Sequence, residues 1–301
     1  MAAAWRVRMK SGSAGVDHAA ARAFAFETGI VGAGWGLNDS PVKGQVPDRS
    51  PDLELYLRHA EVAHPGDQSM RKAAAAFGER MQIGDYCWTY VTHTGEYWCC
   101  RIEGEFEYRE GGEFDRFDLH MARPCTWALA GSMDAVPGVV RRAFAGPFGS
   151  VTALTSGTER AIQAARTALG ETSPAPVGDL MKSAGPEDLE DLVAMYLQRE
   201  GWWIYPSTAK TSTASYEFVM VHSETGHRAG IQVKSGNVDR ITQAVATDLD
   251  RFFILLGGSS APPPMHDPRI SFIAHDEITR FASEHIAQLP KRLRADAREQ
   301  G

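Results

Sequence analysis

The stretch from Tyr216 to Asn237, YEFVMVHSETGHRAGIQVKSGN, constrains the fold more than any other part of the chain. Its first six residues alternate like a strand, SETG is typical of a turn, and AGIQVK forms a second short strand, so the pattern predicts a β-hairpin. Side chains two residues apart on a strand share a face. Gln232 and Lys234 are therefore expected to point the same way, and Glu217 can meet them from the first strand if the register is right.

Helices and strands alternate around this hairpin. A helix is predicted after Gly178 because its apolar residues recur every three or four positions, and Gly201 ends it. Strands are expected at 202–205, 251–256 and 270–274, and helices near 238–246 and from 275 or 276 to about 288. This order predicts a three-layer α/β sandwich.

An acid, an amide and a lysine on one strand pair suit metal-dependent phosphodiester hydrolysis. Magnesium prefers oxygen ligands, so the Glu217 carboxylate, the Gln232 amide and the strand carbonyl of Val233 form a candidate partial shell. Lys234 could position or deprotonate a metal-activated water, or neutralise charge on the phosphate. Glu190 borders the apolar stripe of the preceding helix and is expected to reach the sheet. The alternative is that these polar residues belong to the solvated surface, because a Q-V-K string is common.

The order E-x-L-V, G-W, Y-E-F and Q-V-K resembles the PD-(D/E)xK nuclease superfamily, in particular its Mrr-like restriction-endonuclease branch, over about residues 178 to 290. The resemblance implies a central mixed sheet and DNA cleavage that depends on Mg²⁺, with Mn²⁺ as a possible substitute. It also implies a site formed by Glu190, Glu217, Gln232 and Lys234. Glutamate stands where aspartate is commoner, and Gln232 replaces the last acid, which leaves one fewer negative charge for the metal.

The first third of the chain is rich in aromatic residues and glycine. A helix is predicted near 68–80, and residues 81–110 contain two or three strands joined at Thr94-Gly95 and Gly104, so a compact β-rich unit, a barrel, is expected. Aromatic walls suit the stacking of a base taken out of a duplex. Aromatic residues are also what the core of a small barrel needs, and both interpretations stay open for them.

The motifs GIVGAGWG, MQIGDYCWTYV and EYWCCRIEGEFEY resemble the PUA-like group that includes EVE and ASCH domains, over about residues 20 to 125. The resemblance implies a barrel with a nucleobase pocket. Gly34, Trp35 and Asn38 are then candidates for one pocket wall, with Trp88 and Tyr90 across from them.

Two domains are therefore expected in an α+β protein: a PUA-like base- or nucleotide-sensing barrel at 1–135, a helical connector and linker at 136–177, and a nuclease domain at 178–301. The pairing suggests a modification-dependent restriction enzyme in anti-phage defence, which reads a modified base in DNA and cuts nearby as a homodimer. Two alternatives stay open. One is a defence nuclease triggered by a small nucleotide or a protein ligand, and the other is a DNA-binding protein with an inactive nuclease fold.

Composition sets limits on these interpretations. In 301 residues, 43% hydrophobic content supports proper cores, and a net charge of -7 argues against a basic surface, so DNA binding would need a local patch. No apolar run approaches the roughly 20 residues that span a bilayer, so a soluble, cytoplasmic protein is expected. The four cysteines lack C-x-x-C spacing and are expected to be free buried thiols. Candidate phosphate contacts are Arg141, Arg142, Lys210, Arg228 and Arg240, with solvated surface as the alternative.

Overall fold

The computed structural model describes residues 2–13, 15–38, 40–146, 149–155, 157–172, 180–209, 216–234, 248–257, 262, 264, 266–294 and 297, with the side chains of 182 and 183 excepted. The chain divides into two compact units, Met1–Pro174 and Ala175–Gly301. Both units combine helices with a sheet. The expected α+β class is confirmed.

The first unit is built on a curled sheet. Its strands are β1 (Ala4–Val7), β2 (Ile30–Ala33), β3 (Tyr86–Val91), β4 (Glu96–Ile102), β5 (Glu107–Tyr108), β6 (Met121–Gly131) and β7 (Val151–Ala153), in the order β2-β6-β4-β3-β1-β7, with β5 on β6. The long strand β6 pairs with β2 and β5 through its first part and with β4 through its second. Strand β6 thus belongs to three ladders and joins them into one sheet.

Helices cover both faces of this sheet. They are α1 (His18–Thr28), α2 (Leu53–Ala63), α3 (Gln68–Ala75), α4 (Glu113–Phe117), α5 (Gly138–Ala145) and α6 (Thr158–Ala168). The predicted helix at 68–80 is confirmed as α3 followed by a π-helical turn at Ala76–Arg80. Asp67 caps α3, because its carboxylate accepts the backbone N–H groups of Ser69 and Met70.

The segment expected to connect the two domains is instead part of the first unit. Strand β7 pairs antiparallel with β1, and α5 and α6 supply a second core in which Val140, Ala161 and Ala165 pack with Trp88. The unit boundary at Pro174 falls inside the stretch predicted as a linker. Packing of α5 and α6 against the sheet explains why 136–172 does not behave as a connector.

The second unit contains a five-stranded mixed sheet. Its strands are β8 (Trp202–Ile204), β9 (Phe218–His222), β10 (Arg228–Lys234), β11 (Arg251–Leu256) and β12 (Ile270–Ile273), and its helices are α7 (Leu180–Ser183), α8 (Pro186–Arg199) and α9 (His275–Glu284). The order is β12-β11-β10-β9-β8, with β8, β9 and β10 antiparallel and β10, β11 and β12 parallel. The predicted hairpin and its neighbouring strands are confirmed. The helix predicted near 238–246 lies outside the described residues.

The two faces of this sheet carry different side chains. Ala229, Ile231 and Val233 of β10 pack in one core with the apolar residues of α8 and α9. The alternate residues of β10 point the other way, since a Cβ added at Gly230 would meet Phe252 and Leu249 in a separate core. The face opposite α8 is called the far face below.

A buried ion pair fixes the start of α8. Arg292 donates from Nε to Oδ1 of Asp188 at 2.6 Å, and also contacts the carboxylate of Asp191. The side chains of Arg292 and Asp188 are 2% and 1% exposed. This pair ties the residues after α9 to the first turn of α8.

The four cysteines meet a further expectation. Cys87, Cys99, Cys100 and Cys125 are buried and free. Burial raises the pKa of the Cys99 thiol to about 12 and holds the pKa of Cys100 well above its usual value. Among the described helices, none has the length and apolar character needed to cross a membrane.

Candidate functional site

The hairpin brings Glu217, Gln232 and Lys234 to the far face of the second sheet. Ile231 and Phe218 are the last pair of the antiparallel ladder, and Gln232 and Glu217 are the next residues on the two strands. The backbone N–H of Glu217 donates to the carbonyl of Ile231 at 2.7 Å, which holds Glu217 against β10 just beyond this last pair. The far face is reached because the side-chain direction alternates along each strand.

Glu217 and Lys234 form a half-buried ion pair. The Nζ of Lys234 lies 3.9 Å from Oε1 of Glu217, and the two side chains are 26% and 24% exposed. Burial raises the pKa of Glu217, while the Lys234 charge and a hydrogen bond from the backbone N–H of Val233 act in the opposite direction. The carboxylate is therefore poorly solvated, which makes it receptive to a further cation.

Gln232 lies two residues before Lys234 on β10, on the same face of the strand, and is fully buried. Taking an amide out of water is costly unless it is hydrogen-bonded, so this position is not explained by surface polarity. The Glu217 carboxylate and the Gln232 amide oxygen are the hard oxygen donors that Mg²⁺ prefers. In the described part of the chain, no group of three His, Cys, Asp or Glu side chains could hold a metal ion. The donor set fits a partial shell with one acid, which waters would complete.

Glu190 starts from the other side of the sheet. Its helix α8 buries Leu189, Leu192, Val193 and Leu197 against the face of β10 that carries Ala229, Ile231 and Val233. The half-buried Glu190 follows Leu189 at the edge of that stripe. The structure thus brings Glu217, Gln232 and Lys234 together on one face, whereas Glu190 lies on a helix that packs on the other.

Two exposed aromatic residues on the far face were not foreseen from the sequence. Trp203 pairs with Val221, and the backbone N–H of Tyr205 donates to the carbonyl of Val219 at 3.0 Å, so both side chains lie on the same face as Glu217. Trp203 is 63% exposed and Tyr205 is 42% exposed. The signal in the sequence is the alternation W-W-I-Y after Gly201, in which Trp202 and Ile204 pack against α8.

The candidate phosphate contacts fall in different places. Arg228 is paired with Asp248 at 2.9 Å on the surface of the second unit. Arg141 and Arg142 lie on α5 of the first unit. Lys210 and Arg240 are outside the described residues.

In the first unit, Gly34, Trp35 and Asn38 line a cavity of about 780 Å³. Trp35 is held firmly, since its Nε1 donates to Oδ2 of Asp67 at 2.8 Å and its carbonyl accepts from the Tyr56 hydroxyl at 2.9 Å. Its φ of +69° lies in the left-handed region that costs about 1–2 kcal/mol for an ordinary L-residue. Backbone strain of this kind clusters at ligand sites.

Trp88 and Tyr90 do not lie across this cavity. Trp88 is fully buried in the core formed with α5 and α6. Tyr90 packs against Tyr97, with ring centroids 4.7 Å apart, and against Phe144 of α5. Both aromatic residues project from β3 toward α5 and α6, so packing rather than ligand contact explains them. The expectation that they form the second pocket wall is corrected.

Asp118 and His120 line the cavity instead, and sequence reasoning missed both. His120 is 1% exposed, and Asp118 has a positive φ of +51°. A Cβ on Gly34 would overlap the Asp118 carboxylate, and a Cβ on Gly36 would overlap the ring of His120. The glycines of GIVGAGWG therefore let the backbone around Trp35 lie directly against these two polar side chains. The available signal was the D-L-H string just before β6.

Comparison with known proteins yields no match for this chain among family models, curated proteins or solved structures. Its function is therefore inferred from the two sites described above.

Proposed function

We propose that the second unit is a metal-dependent DNA endonuclease and that the first unit reads a base. The observation that carries the proposal is the far-face cluster, in which an acid, a buried amide and a lysine converge, with Lys234 3.9 Å from Glu217. The function is that of a modification-dependent restriction enzyme acting on foreign DNA in the cytoplasm. A homodimer would place two such sites for cutting both strands.

In this mechanism, the Glu217 carboxylate, the Gln232 amide oxygen and the Val233 carbonyl would hold Mg²⁺. When bound, the ion would supply Lewis-acid activation of the phosphoryl group and of a water. The Val233 N–H and Lys234 keep the Glu217 carboxylate oriented. Lys234 also stabilises negative charge that develops on the phosphate. Glu190 joins the site only if its side chain extends past the end of the sheet.

The exposed rings on the far face support a nucleic-acid substrate. Trp203 and Tyr205 offer open aromatic surface on the side of the sheet that bears Glu217. Unpaired bases stack on such rings, with about 1–3 kcal/mol lost per base on alanine substitution. The DNA path would then run from the edge strand β8 toward the hairpin.

A cleavage assay tests the proposal. Modified and unmodified DNA are incubated with Mg²⁺ and the wild-type protein, Glu217→Gln or Lys234→Ala. We expect cleavage of modified DNA, and a rate lower by about 10²–10⁴-fold in Lys234→Ala if the lysine acts in proton transfer or charge stabilisation. Glu224→Gln, in the exposed turn of the same hairpin, is the matched control and should cut normally. Absence of cleavage of either DNA, together with no effect of Lys234→Ala, would contradict the proposal.

Two other functions have specific support. The cavity around Trp35 is large enough for a free nucleotide, which favours a nuclease triggered by a small ligand. Binding of nucleotides rather than of flipped-base oligonucleotides by the first unit would distinguish that function.

The uncharged Gln232 favours a DNA-binding protein without activity. Calorimetry with Mg²⁺ or Mn²⁺ distinguishes this protein from an active nuclease. An active site should bind the metal, and Glu217→Gln should abolish that binding, whereas an inactive site should bind no metal.

A further inference from the structure

The cavity at Trp35 has the size and composition of a small-molecule site. Its volume of about 780 Å³ lies in the range of roughly 300 to 1,000 Å³ that is typical of ligand pockets. Its lining combines the Trp35 indole with the Asp118 carboxylate and the His120 ring, and includes the basic residues Arg8 and Lys10. An aromatic wall beside a few convergent polar groups is suited to a planar polar ring.

The Asp118 carboxylate sets the hydrogen-bonding character of the cavity. The neighbouring His120 ring is held by its Nδ1, which lies 2.8 Å from the carbonyl oxygen of Arg109 and donates to it, because a carbonyl only accepts. The other ring nitrogen, Nε2, lies 3.7 Å from Oδ1 of Asp118. A carboxylate oxygen is an acceptor, so this lining is satisfied by a ligand that brings a hydrogen-bond donor.

Asp118 is fixed by its neighbours. The hydroxyl of Ser11 donates to Oδ2, and the hydroxyl of Ser13 lies 3.4 Å from the same oxygen. These contacts direct Oδ1 toward His120. The positive φ of Asp118 fixes its backbone, because this residue ends α4 in the left-handed conformation and its N–H donates to the carbonyl of Phe114.

We propose that this cavity binds a nucleobase through its exocyclic amino group, which donates to Oδ1 of Asp118 while the ring lies against Trp35. Cytosine, adenine and guanine carry such a group, whereas thymine and uracil present a carbonyl oxygen at the corresponding position, which the carboxylate would repel. Arg8 and Lys10 supply positive charge for the adjoining phosphates. This inference rests on the base-reading half of the proposed function and names the chemical class that it reads.

Matched nucleosides test the proposal on the full-length protein without metal. Affinities for guanosine and inosine, which differ only in the amino group, and for cytidine and uridine, which differ in the amino group and in the proton on N3, are compared by calorimetry. We expect at least one amino-bearing member to bind ten-fold or more tightly than its partner, since a site built around donors rejects an analogue that lacks them. Equal affinity within both pairs, or no binding of any nucleoside, would overturn the proposal.

A conservative variant and a matched control assign the effect to Asp118. Asn tolerates a positive φ, so Asp118→Asn keeps the backbone and shape while its amide replaces an acceptor by a donor. We expect the preference for the amino-bearing nucleoside to fall at least ten-fold. Glu54→Gln, an exposed residue of α2 outside this lining, should bind as the wild type does. An unchanged preference in Asp118→Asn would refute the assignment.

Failure of this inference is distinguishable from failure of the nuclease proposal. Nucleoside binding is measured without metal and does not depend on Glu217, while cleavage is measured with Mg²⁺ and does. Selective binding without any cleavage would support the base site and count against the nuclease. Cleavage without selective nucleoside binding would support the nuclease and count against the base site.

Discussion

Removing the charge of Lys234 should destabilise the second sheet through Glu217. At 3.9 Å, two unit charges attract by about 4 kcal/mol at an effective dielectric constant of 20, and by about 1 kcal/mol in bulk water. Each side chain is about one quarter exposed, so the pair lies between these limits, and side-chain ordering offsets part of the attraction. We expect Lys234→Met to lower the free energy of opening of β9 and β10 by about 1–2 kcal/mol near neutral pH.

The pH dependence of this loss has a definite sign. Burial already holds the folded-state pKa of Glu217 above its ordinary value of 4.5, so the folded state binds more protons than the unfolded state in the interval between them. Stability therefore falls as pH rises through that interval. Lys234 lowers the pKa of Glu217, so in Lys234→Met the folded-state pKa of Glu217 rises and the pH interval over which stability falls extends upward. The loss of stability in Lys234→Met should thus be present at pH 8 and small below the ordinary pKa of Glu217.

Hydrogen exchange of peptides from β9 and β10 measures this free energy without mixing in the first unit. Arg228→Met is the matched control on the same strand, because its partner Asp248 is 64% exposed and such pairs contribute about 0–1 kcal/mol. Adding Glu217→Gln to Lys234→Met should recover most of the loss, since no buried charge remains. An equal loss of free energy in Lys234→Met and Arg228→Met would refute the reasoning. A loss in Lys234→Met that is the same at pH 4 and pH 8 would refute it as well.

Three further predictions concern other parts of the molecule. Arg292→Met should lower the stability of the second unit by about 3–5 kcal/mol, because it leaves Asp188 buried without its partner, and denaturant unfolding monitored by hydrogen exchange of α8 checks this. Gly36→Ala should cost about 1–3 kcal/mol through overlap with His120, while Gly12→Ala should be within about 0.5 kcal/mol of the wild type in thermal unfolding. In metal-free fluorescence titrations, Trp203→Ala should weaken binding of single-stranded DNA by about 1–3 kcal/mol, whereas unchanged affinity would exclude a stacking role.

The far-face cluster could be predicted from the sequence because it depends on local periodicity. Period-two alternation places Gln232 and Lys234 on one face wherever the strand lies, and a short turn brings Glu217 opposite. The position of Glu190 could not be obtained in this way. Helical periodicity shows which side of α8 is buried, but it does not show which face of the sheet that side meets.

In the first unit, contacts between residues that are far apart in the sequence could not be predicted either. Nothing in the three residues Val151–Ala153 indicates that they pair with β1, almost 150 positions earlier, so the sequence predicts a connector where α5 and α6 are part of the first unit. Alternation places Trp88 and Tyr90 on one face of β3 but does not distinguish a ligand cavity from a core. The roles of Asp118 and His120 depend on tertiary packing around Gly34 and Gly36.

The ion pair between Arg292 and Asp188 also orders events during synthesis. The first turn of α8 is made about a hundred residues before its partner, so Asp188 must wait in a solvated state while the five strands are translated. Domains tend to fold from the N-terminus as the chain emerges. The ion pair itself can form only after Arg292 has been synthesised, when the whole first unit has already been made.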